Sequence, residues 1–172
     1  MGARFTKAGA MKIVIRKMES DHRDFVIGTW LTSTRRSPSS GLIPMAQWRD
    51  VMSPILGGIL AWPGVGVRLI VDVDAPPDVA LIGHIVWRDA DAIDPPLVFF
   101  CYVKHDYRGN GFARRLLEAA GIDERKAFDY VCQTRASVSM QEKRKLPRAR
   151  WRPLRGRYPT GRKDDDERNA QD

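Results

Sequence analysis

Apolar positions along the chain fall into short alternating or continuous runs separated by turn residues. This pattern predicts interleaved strands and helices. After residues 1–10, read as a loose leader, residues 11–18 alternate apolar and polar side chains as a half-buried strand does. Ser20 or Asp21 then offers a cap for a helix whose Phe25, Val26, Trp30 and Leu31 share one face. Residues 33–41 are polar and turn-rich, which predicts a surface loop. A second helix is expected from Pro44 to about Met52, with a break or restart at Pro54. The apolar pattern allows it to continue to Leu60 before Trp62, Pro63 and Gly64 end it.

From residue 66 the pattern becomes that of strands. Residues 66–73 are rich in β-branched side chains and stop at the Pro76-Pro77 turn; residues 79–87 follow, and then an aspartate- and proline-rich loop. Residues 97–103 form a nearly continuous apolar run, as in a strand buried on both faces. A polar turn over 104–110 leads into a helix over 111–120. Phe112, Leu116 and Leu117 make its apolar stripe and Gly121 closes it. Residues 128–133 read as a last strand. Beyond Ser137 no strong periodicity remains, and there is no internal repeat.

Composition sharpens this picture. With 172 residues, 43% of them hydrophobic, the chain has the apolar mass for one domain. Its net charge of +8 is uneven: residues 1–142 carry +2 and residues 143–172 carry +6. No apolar run approaches the ~18–20 residues of a membrane span, so no membrane association is expected. No continuous apolar segment precedes a small-residue cleavage site. The two cysteines, Cys101 and Cys132, cannot make a disulfide framework and suit a reducing cytoplasm. His22, His84 and His105 are far apart and neither CxxC nor HExxH occurs, so no metal site is expected.

The most informative stretch runs from Val103 to Ala113. A buried strand ends, a glycine-bearing turn follows, and a helix begins at once. Such a helix start is an anion site, because its first N–H groups lack intrahelical partners and the macrodipole adds positive potential. Gly109 and Gly111 allow an anion to approach the main chain. Arg108 offers a charge-assisted contact, and Arg114 and Arg115 raise the local potential.

In this stretch the chain resembles the GNAT superfamily of acyl-CoA N-acyltransferases. The family pattern R/Q-x-x-G-x-G/A is matched by Arg108, Gly111 and Ala113, with Val103 at the strand end; His105 and Phe112 stand where the family commonly has Pro and Ile. The resemblance covers roughly residues 11–136, and its element order agrees with the one read above. A looser likeness, through Trp30-Leu31-Thr32-Ser33 and Tyr102-Val103-Lys104, is to bacteriophage-encoded GNAT-like proteins. The resemblance implies an α/β fold with a mixed, mostly antiparallel sheet flanked by helices, in a bacterial or phage-infected cytoplasm. It implies that main-chain N–H groups of Arg108, Gly109, Asn110, Gly111, Phe112 and Ala113, aided by Arg114, hold the diphosphate of acetyl-CoA or another short acyl-CoA. It also implies that the fourth strand splays from the fifth, leaving main chain at Cys101 and Val103 to bind the pantetheine and polarise the thioester.

Elsewhere the sequence departs from the family. Many members carry a Glu near the start of the fourth strand, where this chain has Leu97-Val98-Phe99-Phe100. The usual Tyr and Gly-Phe pair after the fifth strand are missing. Too few apolar residues remain for two closing strands, so the C-terminal third is shortened. His84 is the candidate replacement base, acting through water, and its alternative reading is a hydrogen-bonded histidine at a half-buried position. Tyr102 and Tyr158 are candidate acids, Tyr102 also fitting the core. Asp72 and Asp74 at a strand end are weaker candidates for a base. Cys101 fits a small buried residue better than a nucleophile. An acceptor amine is expected near Ser33, Arg35, Arg36 and Trp48, where arginines suit an acidic acceptor.

Residues 143–163 contain ten Lys or Arg and no acid, with Trp151 and Tyr158 interleaved. This is a composition that single-stranded nucleic acid binds. Pro147, Pro153 and Pro159 favour an extended arm over a helix. The other reading lays Trp151, Leu154 and Tyr158 on the open sheet edge; the two are compatible. The expectation is therefore a GNAT-like domain over residues 11–136 with a basic extension over 137–172. Its expected activity is direct acyl transfer from CoA to a primary amine. The alternative is an inactive binding protein of the same fold, engaging nucleic acid through its tail.

Overall fold

The computed structural model describes residues 11–35, 43–132, 138 and 148–152. Strand β1 is Ile13–Lys17, helix α1 Arg23–Arg35, α2 Met45–Leu60 and β2 Val65–Asp72. A single turn, α3 (Pro77–Ala80), precedes β3 (Leu81–Arg88); β4 (Leu97–Val103), α4 (Phe112–Ala119), β5 (Phe128–Tyr130) and β6 (Ala149–Trp151) follow. The strands form one six-stranded sheet in the order β1-β2-β3-β4-β5-β6. Pairing is antiparallel from β1 to β4 and parallel for β4–β5 and β5–β6.

Both faces of the sheet are covered, which is why β4 reads as a continuous apolar run. On one side α1 and α2 bury Val26, Trp30, Leu31 and Leu56 against Leu69, Val86 and Phe99. Trp30 stacks on Phe100 with ring centroids 5.3 Å apart. On the other side α4 buries Phe112, Leu116 and Leu117 against Ile70, Ile82 and Ile85. Among the described residues, no helix is long and apolar enough to cross a membrane.

Three local expectations are corrected. The chain enters α1 through a 3-10 turn at Ser20–His22, and Asp21 turns to the His22 ring (2.9 Å). Helix α1 does not stop at residue 33 but runs to Arg35, with the Thr34 hydroxyl donating to Trp30 O at 2.8 Å. The polar composition of 33–35 reflects a half-buried helix end where the Thr34 hydroxyl bonds back to the helix. Helix α2 passes through Pro54 without a break. Pro54 is exposed, so water can satisfy the carbonyl that loses its N–H partner.

The C-terminal region does carry a strand. Ala149–Trp151 pairs with Phe128–Tyr130, and Arg152 N–H donates to Tyr130 O at 2.9 Å. Arg150 Nε meets the buried Asp129 carboxylate at 2.8 Å. The sheet edge is covered here by main-chain pairing, while the Trp151 side chain, 48% exposed, does not pack inward as expected; Leu154 and Tyr158 lie outside the described residues.

Candidate active site

The site is assembled where β4 ends. Val86 pairs with Phe100 and Trp87 with Val98, so Phe99 is an extra residue, a bulge. Beside that bulge the pairing of β4 with β5 stops, covering Leu97 and Val98 alone. From Phe99 to Val103 the strand has no register partner in β5. Lys104 N–H bonds Ile82 O across β3 at 2.8 Å. By alternation, Cys101 and Val103 therefore present their main-chain groups to the β5 side.

Immediately after β4 lies a 3-10 turn, His105–Tyr107, and then Gly109 and Gly111 at φ 87° and 75°. Left-handed backbone of this kind is accessible to glycine at little cost. Gly111 is the N-cap of α4 and has no side-chain cap; the first helical bond is Arg115 N–H to Gly111 O at 3.1 Å. Among the described residues, the N–H groups from Gly109 to Arg114 meet no acceptor. A Cβ added at Gly109 or Gly111 would enter open space, so the cradle faces outward.

Arg108 corrects one expectation. Its N–H donates to His105 O at 3.1 Å and so leaves the anion-binding set. Its Nε donates to Val103 O at 3.0 Å, which takes one of the main-chain groups expected to face the pantetheine. The side chain thus ties the strand end to the turn. Asn110 Nδ2 donates to Tyr107 O at 3.2 Å, bracing the same turn. Arg114 pairs with Glu124 at 2.8 Å, which offsets part of its charge.

His84 and Tyr102 face each other across β3 and β4, on the α1 side of the sheet. The His84 ring lies 5.8 Å from Phe25, 5.6 Å from Phe100 and 5.7 Å from Tyr102 between centroids. It is 0% exposed and neither ring nitrogen has a hydrogen-bond partner. Neither half-burial nor a satisfied ring, as the sequence suggested, describes it. Burial holds its pKa down at about 3, so the ring is neutral and only weakly basic. Tyr102 is half-buried. Burial pushes both the Cys101 and Cys132 thiols up to about 12, against any nucleophilic role.

The expected acceptor residues lie elsewhere. Ser33 and Arg35 end α1, Arg35 donating to Ile43 O at 3.1 Å, and the Trp48 indole donates to Leu31 O at 3.2 Å. Ten helical residues separate Phe25 from Arg35, roughly 15 Å along the axis. Arg35 and Trp48 thus tie the end of α1 to the segment that starts α2, and Arg35 lies far along the helix from the residue that covers His84. Asp72 is buried at the end of β2, two strands from β4, and its Oδ1 accepts Asp74 N–H at 3.2 Å. Arg36 and Tyr158 lie outside the described residues. Sequence reasoning missed Phe25, which covers His84, and Lys104, whose Nζ lies 5.8 Å from the Phe25 ring centroid. Neither has a local signal, since a helix start and a strand end meet only in three dimensions.

No family model and no curated protein matches the chain. Solved structures do. A Pyrococcus furiosus protein provisionally assigned as an acetyl transferase is 17% identical, with a TM-score of 0.56 over 77% of this chain and 91% of that one. The PaiA N-acetyltransferase of Thermoplasma acidophilum, in complex with coenzyme A, is 18% identical, with a TM-score of 0.52 over 78% of this chain and 89% of that one. An integron cassette protein from the mobile metagenome of V. cholerae is 12% identical, with a TM-score of 0.51 over 94% and 99%. At such identities the likeness is one of architecture, and on it this chain has the fold of the GNAT acetyltransferases.

Proposed function

We propose that the chain is an acyl-CoA-dependent N-acyltransferase, with acetyl-CoA the first candidate donor and a primary amine the acceptor. One observation carries this reading: an outward cradle of unpartnered N–H groups from Gly109 to Arg114, set beside a strand that has left its neighbour. Unpartnered N–H donors gather at the turn and the helix start, as binding of an anionic diphosphate requires. The free edge at Cys101, together with the Val103 N–H, supplies main-chain bonds for an extended acyl arm. CoA supplies the activated thioester.

Within this reading the chain's own groups position and polarise. The amine nitrogen attacks the thioester carbon, the C–S bond breaks, the amine loses a proton, and the departing thiolate takes one up. Tyr102 is proposed as the source of that last proton. His84 is proposed as the base, reached through water once the Phe25 ring swings aside. While sealed it is too weakly basic for that task.

Calorimetric titration with acetyl-CoA, followed by thiol release over a panel of amines, tests the proposal. Binding is expected, with Gly111→Val weakening it about tenfold or more by straining the cradle's left-handed residue. A folded protein that does not bind acetyl-CoA would refute it. The second reading, a CoA-binding protein without turnover, is favoured by the carboxylate-free start of β4 and the sealed His84. Binding without thiol release from any amine or nucleic acid would establish it. Nucleic acid remains a proposed partner of residues 143–163. Within that stretch Arg148, Trp151 and Arg152 are exposed on or beside β6, and a salt-titrated shift assay measures the interaction.

A further inference from the structure

A cavity of about 440 Å³ opens between β1, the end of β2, the start of β3 and the turn entering α1. Its size is that of a small-molecule site. Val71, Ala80 and Leu81 give it an apolar floor, and Arg16, Asp21 and His22 form a polar wall. His22 is 6% exposed, yet both its ring nitrogens are engaged. Asp21 Oδ1 lies 2.9 Å from Nδ1 and Arg16 Nη2 lies 2.8 Å from Nε2.

A guanidinium can only donate, so Nε2 accepts from Arg16, while Nδ1 faces both the Asp21 carboxylate and the Glu19 N–H, which reaches it at 3.3 Å. Arg16 is therefore held by an imidazole nitrogen rather than by a carboxylate. Among the described residues no ion pair engages it, and its remaining N–H groups form a fork suited to a carboxylate. Asp72 also borders the cavity, but its register partner is Ile13, which packs on the α4 side. That places its side chain on the face opposite Arg16.

We propose that this cavity binds a small monocarboxylate bearing an apolar group, its carboxylate on Arg16 and its apolar part on Val71, Ala80 and Leu81. The proposal does not rest on acyl transfer, since none of the residues lining the cavity belongs to the Gly109–Arg114 cradle. Phenylacetate is the probe, with phenylacetamide and phenethylamine as neutral and cationic counterparts. Methyl NMR should show saturable shifts at Val71, Ala80 and Leu81 with phenylacetate, and about tenfold weaker binding of the other two. Arg16→Gln should weaken phenylacetate about tenfold while leaving acetyl-CoA affinity unchanged, and Ala80→Phe should block the site by filling it. No saturable shift at those methyls, equal binding of the amide or amine, or an unaltered affinity in the folded Arg16→Gln or Ala80→Phe protein would each overturn the proposal.

Discussion

At His84 a polar ring is buried without a partner for either nitrogen, and such groups cost free energy. His84→Leu should therefore stabilise the protein at pH 7 by about 1–2 kcal/mol in urea unfolding. The same ring makes stability depend on pH. Its folded pKa, about 3, is below the ordinary 6.5, so between these values the unfolded chain binds the extra proton. Stability is thus full above pH 6.5 and falls as pH drops towards 3, by at most about 1.4 kcal/mol per unit. The His84→Leu protein should lose this slope; an unchanged slope would show that other groups set it. The sequence made His84 a candidate, because it sits mid-strand next to the expected fourth strand. Its complete enclosure depends on Phe25 and Phe100, far away in the chain.

At the level of single elements, local rules worked where the element's own residues decide its geometry. The β4–turn–α4 unit was legible to within a residue, since an apolar run, two turn glycines and an amphipathic stripe are local signals. Pro54 was misleading, because propensity predicts a break and packing overrides it. Leu56 and Ile59, after the proline, are buried against the sheet and hold the second half of α2 in line. Pro54→Ala restores an N–H donor at an exposed position and should stabilise the fold by about 1–2 kcal/mol, less than the full helix-interior penalty because the unfolded chain gains freedom. Thermal melts of the pair check this, and a lower midpoint for the alanine variant would contradict it. The register of β4, with its bulge at Phe99, had no sequence signal, since the two adjacent phenylalanines look like ordinary strand residues.

Across the whole molecule, the sheet is tight from β1 to β4 and then opens, and the C-terminal strand closes its far edge. Arg150 and the 2% exposed Asp129 clip that strand to β5. Arg150→Ala should cost about 1–2 kcal/mol in urea unfolding, the pair being buried on one side and about half solvated on the other. A change below a few tenths would mean that the main-chain bonds of β6 suffice. The sequence marked residues 143–163 as a charged arm. One of its arginines is instead a structural partner, and the charge excess hid that role.

By itself the sequence determined the order of the main elements from β1 to β5, the α/β class and the glycine-bearing turn at Gly109 to Ala113. Each of these rests on periodicity or backbone freedom within a dozen residues. Tertiary structure alone decided that β4 parts from β5 after Val98, that Arg108 claims the Val103 carbonyl, and that His84 is sealed. It also decided that Arg16 and His22 meet beside a cavity. Those outcomes depend on contacts between segments distant in the chain, whose burial and pairing energies have no signature in local composition.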